Sequence, residues 1–446
     1  MTTNPAAPSV IETTTIRKVR SRIVPFITVL MVIASLDRMN IGFAALTMNK
    51  ELAISSQQYG FLAGVFFLGY FTFEIPSNLL LHRIGARVWL ARILISWGIV
   101  AMATGFAKTA GHVYFLRFLL GVAEAGYFPG IVLYLTYWFR QRQFAQTIAL
   151  FITANPIASI LGAPVSGVIL DHVHWFGVSS WRWLLVLEGF PAIVGGILTY
   201  FLLPGKPAEA KFLTAQEKDW IAAELAREEQ QKIRTRQITA GRALAHGRVW
   251  YLTTTYFMAT ISWNSMFLWM PQFMKLFSSQ YSNTTVGILV MIANLVALIA
   301  MILVARSSDR TLERRYHAAI PLIIGAISLA LLSMGVTGSV LVSVALWSLA
   351  VSGYCCLLGP FWALPNEFLA GYSAAAGIAL INSVGNLGGF FGSITIGMIS
   401  KRTGSFRGGL VFLCISFLAS AVMMLALRKR VEPRAVGAPL TAQPIP

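Results

Sequence analysis

Long apolar segments recur along the chain and are separated by short polar or basic turns. Each segment is about 20 residues long, which is the length a helix needs to cross the hydrocarbon core of a bilayer. Strands of a membrane barrel would be shorter and would alternate between apolar and polar residues. The pattern therefore predicts an all-α integral membrane protein with twelve spanning helices, at residues 23–46, 57–81, 88–107, 112–137, 145–170, 183–203, 249–272, 284–305, 317–336, 339–363, 373–399 and 408–427.

A polar segment at 204–248 divides these helices into two sets of six. Its many charged residues predict a cytoplasmic amphipathic helix that links the two sets. The predicted organisation is a cytoplasmic segment at 1–22, a six-helix bundle at 23–203, the linker, a second bundle at 249–427 and a cytoplasmic tail at 428–446. The tail is rich in proline, and we expect it to be disordered.

Composition agrees with a membrane protein. Of the 446 residues, 56% are hydrophobic and 12% are charged, whereas soluble proteins contain about 45–50% apolar and about 25% charged residues. A soluble enzyme, a disordered chain and a nucleic-acid-binding domain are excluded as the bulk of the molecule. Cys355, Cys356 and Cys414 lie in apolar segments, and we expect them to act as small hydrophobic residues.

The net charge of +18 is distributed unevenly between the two sides of the predicted membrane. With both termini in the cytoplasm, 26 of the 35 Lys and Arg residues lie on the cytoplasmic side and 7 lie on the opposite side. Cytoplasmic loops normally carry this excess of positive charge. The bias predicts the orientation, and it explains the basic composition without a nucleic-acid partner.

Four ionisable residues lie well inside predicted spans: Asp37 and Arg38 in helix 1, and Arg117 and Glu124 in helix 4. A charge near the bilayer centre persists when it is paired or faces water. Two acids and two arginines form a formally neutral set, so a static salt-bridge network is one interpretation. The functional interpretation is that an arginine recognises a carboxylate and that a buried acid carries a proton.

Other polar residues in the spans are less informative. Glu74 precedes Pro76 and Glu188 lies near a helix start, and we interpret both first as structural residues. An isolated asparagine is as often a contact between helices as a ligand contact. Side chains that would complete a cavity are Tyr70, Asn155, Trp263, Asn264, Trp362, Asn382 and Asn386.

Two loops half a chain apart carry related sequences. Residues 78–87 and 305–315 both place an Asp or His beside an arginine, followed by further arginines. Helix 4 contains Arg117-Phe-Leu-Leu-Gly121-Val-Ala-Glu124-Ala-Gly126. These segments resemble the repeated basic loop and the helix-4 motif of the major facilitator superfamily. The resemblance implies two pseudo-symmetric six-helix halves that expose a site alternately to the two sides of the membrane.

Five further segments, at 37–48, 74–81, 181–189, 359–365 and 381–389, resemble the anion:cation symporter family. The first of them is most similar to the tartrate-type bacterial permeases. The resemblance implies that Arg38 contacts the substrate carboxylate, that Asp37 and Glu124 are protonatable acids, that Arg117 holds the helix-4 acid, and that Tyr70, Asn155, Trp362 and Asn382 line the substrate cavity.

The function that follows is import of a small hydroxylated carboxylate, such as tartrate, together with protons. No cofactor is expected, because the proton gradient drives transport, and we expect a monomer in the inner (plasma) membrane. An anion exchanger or efflux carrier of the same fold is the first alternative, and a non-transporting membrane sensor is the second. A membrane enzyme has least support, because no His, Cys and carboxylate cluster has metal-ligand spacing.

Overall fold

The computed structural model describes residues 10–140, 143–144, 147–148, 151, 153–234, 245–277, 280–335, 339–367 and 371–427. Named in chain order, its helices are α1 (Val10–Glu51), α2 (Ser56–Ile84), α3 (Ala86–Thr104), α4 (Ala110–Glu124), α5 (Tyr127–Thr136), α6 (Ala154–His172), α7 (Ser180–Leu202), α8 (Ala215–Arg234), α9 (Gly247–Phe277), α10 (Asn283–Thr311), α11 (Arg315–Ser333), α12 (Val340–Ala363), α13 (Gly371–Asn386), α14 (Gly388–Thr403) and α15 (Arg407–Ala426).

The all-α prediction is confirmed. Eleven helical segments within the described ranges are long and apolar enough to cross a membrane, with α4 and α5 counted together and residues 377–403 counted as one segment. The predicted span 249–272 lies in α9, which is 31 residues long but is not among the eleven. This helix buries hydroxyl groups against its neighbours, namely those of Thr253, Thr255, Thr260, Ser262 and Ser265.

The first helix begins earlier than predicted, at Val10 rather than residue 23. Its extra turns contact α8, the helix within the linker: the Lys18 ammonium lies 2.7 Å from the Glu217 carboxylate. Burial disfavours the charged form of Glu217, but hydrogen bonds from Lys18 and from the Thr214 backbone hold its pKa below its ordinary value. Arg140 also binds α8, through Glu224 at 3.1 Å. The linker helix is therefore attached to the first half of the chain.

Helix 4 is broken where the sequence predicted one continuous span. It ends at Glu124, and the chain then passes through Ala125 in an extended conformation and Gly126 at φ +85° before α5 begins. A methyl group at Gly126 would overlap the Ser77 side chain of α2. The break places Glu124 at a helix terminus in the middle of the membrane segment. A second interruption, at Leu387, separates α13 from α14.

The second copy of the basic loop is held by its own charges. Arg314 donates to Asp309 at 2.6 Å, and the Glu313 carboxylate accepts from the backbone N–H groups of Arg315 and Tyr316 at the start of α11. Burial disfavours the charged form of Glu313, but these bonds and one from His317 hold its pKa below its ordinary value. The loop therefore fixes the turn between α10 and α11.

The two halves meet mainly at one side of the bundle. We term the side on which α1 begins the near side, and the opposite side, where α1 ends, the far side. On the far side, the Tyr59 hydroxyl donates to the Leu268 backbone oxygen at 2.8 Å, and Asp171 of α6 accepts four hydrogen bonds from the start of α10. Nearer the other side, Ser383 donates to Glu74 at 2.7 Å.

We expect Gly126→Ala to lower the stability of the protein more than Gly404→Ala. Both glycines have positive φ, and a left-handed backbone disfavours alanine by about 1–2 kcal/mol. Only the substitution at Gly126 also creates an overlap, because nothing lies within 4 Å of a Cβ atom at Gly404. Thermal unfolding in detergent measures the difference, and equal shifts in Tm would show that the contact between Gly126 and Ser77 relaxes freely.

Candidate functional site

The centre of the site is an ion pair between helices 1 and 4. The Arg38 guanidinium donates through Nε to Glu124 Oε1 at 2.6 Å, and its Nη2 lies 2.5 Å from the same oxygen. The Glu124 side chain is 1% exposed, whereas the Arg38 side chain is 33% exposed. The carboxylate is therefore enclosed by protein, while part of the Arg38 side chain is open.

The approach of α4 to α2 places this pair. A Cβ atom at Gly121 would overlap the backbone oxygen of Phe66, so a glycine is needed for the two helices to pack this closely. On α2, Phe66 and Tyr70 are one turn apart, and their ring centroids lie 5.7 and 5.4 Å from the Arg38 guanidinium carbon. Aromatic faces attract a cation at such distances. The rings thus form a wall beside Arg38.

Arg117 does not pair directly with Glu124, although the resemblance implied that it holds the helix-4 acid. The described contacts contain no ion pair between them, and Glu124 is bound by Arg38 instead. The Arg117 guanidinium is buried and lies 5.1 Å from the Phe66 ring centroid. Phe66 therefore contacts both arginines. The geometric reason is that Arg117 and Glu124 are two helical turns apart on α4.

Asp37 is bound by neutral donors. It is 1% exposed, and its Oδ2 accepts from the Trp97 indole at 2.5 Å while its Oδ1 accepts from Asn40 at 3.2 Å. Arg38, its neighbour in sequence, points to Glu124 instead. The two acids predicted to be protonatable consequently occupy different surroundings, one beside a guanidinium and one beside amide and indole N–H groups.

One predicted cavity residue is hydrogen-bonded to helix 1, and the sequence neighbour of another is hydrogen-bonded to the first half. Asn155 of α6 accepts from Ser35 at 2.7 Å, one turn before Arg38. In the second half, Asn382 is partly buried and adjoins Ser383, which donates to Glu74 of α2. Glu74 lies one turn after Tyr70, so this bond joins the Arg38 side of the site to α13.

The second half contributes aromatic rings. Trp362 packs on Tyr256 with 5.1 Å between ring centroids, and the Tyr256 and Tyr354 hydroxyl groups lie 3.1 Å apart. Trp263 stacks on Tyr354 at 4.6 Å with nearly parallel planes. Trp362 and Trp263 are both partly exposed. Among the described residues, this half offers the site apolar ring surface, hydroxyl groups and amides but no charged side chain.

Glu188 of α7 contacts α6. Its Oε1 accepts from Ser166 of α6 at 2.6 Å, and its Oε2 has no hydrogen-bond partner among the described residues. This agrees with a structural role between α6 and α7. In the described part of the chain, no group of three or more His, Cys, Asp or Glu residues is placed to hold a metal ion.

Several contributors to the site were not identified from the sequence, among them Phe66, Trp97 and Ser383. Phe66 and Tyr70 are four residues apart on one helix face, and this spacing was an available signal for Phe66. Trp97 and Ser383 reach the acids from helices that are distant in sequence. No local pattern indicates such contacts.

Comparison with known proteins places the chain in a large group of transporters. The model of the Major Facilitator Superfamily matches residues 27–393. An Agrobacterium vitis protein whose name refers to tartrate transport is 44% identical over 96% of this chain and 94% of its own length. A quinolone resistance transporter of Acinetobacter baumannii is 37% identical over 94% of this chain and 96% of its own. The crystal structure of a D-xylose-proton symporter matches with a TM-score of 0.74 at 16% identity, covering 91% of this chain and 97% of that one.

We expect Trp97→Phe to destabilise the protein by about 1–3 kcal/mol more than Trp347→Phe, because the former leaves the Oδ2 atom of buried Asp37 without its donor. Trp347 is the matched control: it is fully buried, and its indole N–H has no partner among the described residues. Unfolding by denaturant in detergent, followed by circular dichroism, measures both variants. Equal destabilisation would mean that the bond between Trp97 and Asp37 contributes nothing beyond ring packing.

Proposed function

The chain belongs to the Major Facilitator Superfamily and is a transporter rather than an enzyme, and from this premise we propose that it imports a small hydroxylated carboxylate, such as tartrate, with protons. The observation that carries the proposal is the pair of Arg38, which is part exposed, and Glu124, which is buried. The Agrobacterium vitis relative supports an organic acid as the substrate. Membership of the anion:cation symporter family is part of the proposal.

Arg38 is the group that binds the substrate carboxylate. Its planar guanidinium matches a carboxylate and offers several N–H donors in a fixed geometry. The six predicted spans of the second half contain no Asp, Glu, Lys or Arg, so they offer no competing cation. The neutral side chains of that half, Trp362 and Asn382 among them, bind the uncharged part of the substrate, and Tyr70 and Asn155 complete the cavity from the first half.

Protonation of Glu124 makes Arg38 available. An ionised Glu124 occupies the guanidinium and competes with the substrate carboxylate for it. A proton on Glu124 removes that charge, and the substrate then restores it. Proton and substrate therefore bind cooperatively, and by linkage each raises the affinity for the other by the same factor.

Asp37 and Arg117 complete the proton-coupling group. Asp37 accepts hydrogen bonds from Trp97 and Asn40, and these neutral donors do not compensate a full negative charge as a cation would. Buried Arg117 is the cation of helix 4 that balances the ionised acids across the cycle. If Asp37, Arg38, Arg117 and Glu124 formed a static salt-bridge network instead, their charges would serve folding alone.

Transport requires the site to open alternately to each side. The contacts between halves on the far side, through Tyr59 and Asp171, support a conformation that is closed on that side. Movement of the two halves about the Arg38 site would then expose it to one side at a time. The linker helix α8, attached to the first half through Lys18 and Arg140, would move with that half.

The proposed location is the bacterial inner membrane, with both termini in the cytoplasm. The Lys and Arg bias supports this orientation, and it makes the near side the cytoplasmic side. The driving force is the proton gradient, with no cofactor. We propose that the protein acts as a monomer.

Exchange or efflux is the alternative with specific support, because a 37% identical relative is named for quinolone resistance. An exchanger moves one anion against another without net proton movement. Alkalinisation outside proteoliposomes on addition of tartrate distinguishes symport from exchange. A non-transporting sensor would produce neither proton movement nor counterflow.

We expect Arg38→Lys to weaken binding of the transported acid about tenfold or more, because an ammonium cannot reproduce the bidentate guanidinium geometry. Isothermal titration with tartrate in detergent measures the affinity. Arg227→Lys is the control, since that arginine is on the linker helix with a side chain that is 74% exposed. Wild-type affinity in Arg38→Lys would remove Arg38 from the binding site.

We expect Glu124→Gln to abolish uphill, pH-driven accumulation while substrate counterflow persists. The neutral amide imitates the protonated acid, so substrate affinity should no longer rise as pH falls. The same outcome is expected for Asp37→Asn if both acids carry protons. Uptake and binding are measured in proteoliposomes across a pH series.

Glu188→Gln provides the control for that series. Its carboxyl group is buried like that of Glu124 but is bound to Ser166 rather than to a cation. The variant should retain the pH dependence of the wild type. Full pH-driven accumulation in both Glu124→Gln and Asp37→Asn would contradict the coupling mechanism and leave the fold unaffected.

A further inference from the structure

Asp171 joins the two halves at the far side. It lies in the last turn of α6, and its carboxylate faces the first turn of α10 across the boundary between the halves. Its Oδ1 accepts from Asn283 N at 3.1 Å and Nδ2 at 2.8 Å, and its Oδ2 accepts from Thr284 N and Oγ1, both at 2.7 Å. One side chain of the first half thus receives four donors of the second half.

These donors are suited to a carboxylate from outside the helix. The first N–H groups of an α-helix have no partner within it, and the helix dipole makes its N-terminus favourable for an anion. Within α10, Ser282 already accepts from the Thr285 N–H at 3.1 Å. Asp171 therefore satisfies the N–H groups of Asn283 and Thr284, which this internal cap does not bind.

The position of Asp171 is unfavourable for its own helix. A negative charge in the last turn of a helix opposes the dipole of that helix. The same carboxylate is stabilised by the N-terminus of α10, so its favourable interactions lie across the boundary rather than within the first half. Such a residue favours the state in which the two helices touch.

Close backbone packing accompanies the four bonds. A Cβ atom at Gly287 would overlap the Ala163 backbone oxygen, and one at Gly167 would press against Asn283. The two helix ends therefore approach at backbone distance. Opening of the site toward the far side must separate them and expose all four donors together.

We propose that Asp171 is the latch of the far side: it stabilises the conformation closed on that side, and its four bonds to Asn283 and Thr284 break each time the site opens there. The statement that the site opens there rests on the proposed function. Asp171 is thus a positioning residue that sets the balance between the two access states. It does not touch the substrate.

The distance between the two halves at the far side tests this proposal directly. Spin labels at Lys108→Cys in the first half and Lys401→Cys in the second occupy exposed positions, whereas the native cysteines are buried. Double electron–electron resonance without substrate then reports the populations of molecules that are open and closed on the far side. In Asp171→Ala we expect the ratio of far-side-open to closed molecules to rise at least tenfold, equivalent to about 1.4 kcal/mol.

Asn283→Asp is the second variant. It keeps an acidic residue in the first turn of α10, which favours that helix, but places a carboxylate against Asp171. We expect it to shift the population as Asp171→Ala does, and it carries the test if Asp171→Ala does not fold. The exchange Asp171→Asn with Asn283→Asp restores a donor and an acceptor in reversed roles, and it should return part of the closed population.

Ser282→Ala is the matched control, because Ser282 caps α10 from within the second half. It should leave the distance distribution as in the wild type. The proposal is overturned if Asp171→Ala and Asn283→Asp keep the wild-type distribution, if Ser282→Ala opens the far side equally, or if the exchanged pair stays as open as the single variants. The measurement needs no substrate, so failure of tartrate transport would leave its result intact.

Discussion

A charge inside a membrane must be compensated, and this constraint determines how the first half is built. Each charged group near Arg38 meets a different form of compensation. Glu124 receives a guanidinium, Asp37 receives neutral N–H donors, and Arg117 lies over an aromatic ring. The helices pack closely enough for these contacts because Gly121 admits the backbone of Phe66. The small residue of helix 4 therefore allows the close packing in which its charged residues are compensated.

The sequence was sufficient for the all-α membrane fold and for the identity of the charged residues inside the spans. Apolar length placed the spans, since few other structures require twenty consecutive apolar residues. The sequence was insufficient to predict that Glu124 pairs with Arg38. Arg117 is two turns away from Glu124 on the same helix, and the spacing alone separates them. That Arg38 reaches Glu124 depends instead on how α1 and α4 lie in the folded structure, which no spacing along one helix contains.

The boundaries that differed from prediction differ for related reasons. Hydropathy ends where polar residues begin, but α1 extends back to Val10 because its polar first turns bind the linker helix through Lys18. Helix 4 appears continuous in an apolar pattern, since Ala125 and Gly126 are themselves small and apolar. Trp97 and Ser383 contact Asp37 and Glu74 from helices far away in sequence. No local sequence pattern indicates tertiary contacts of this kind, so they are seen only in the folded structure.

The acidic residues inside the spans are divided unequally between the two halves. Every Asp and Glu within the predicted spans belongs to the first half, and none belongs to the second. A change of protonation therefore alters the electrostatics of one half only. The second half can respond through contacts that its neutral groups make with that half, as Ser383 does with Glu74 and as the start of α10 does with Asp171. Because hydrogen bonds to charged groups are stronger than those between neutral ones, an ionised carboxylate at either contact holds the second half more strongly than a neutral side chain would.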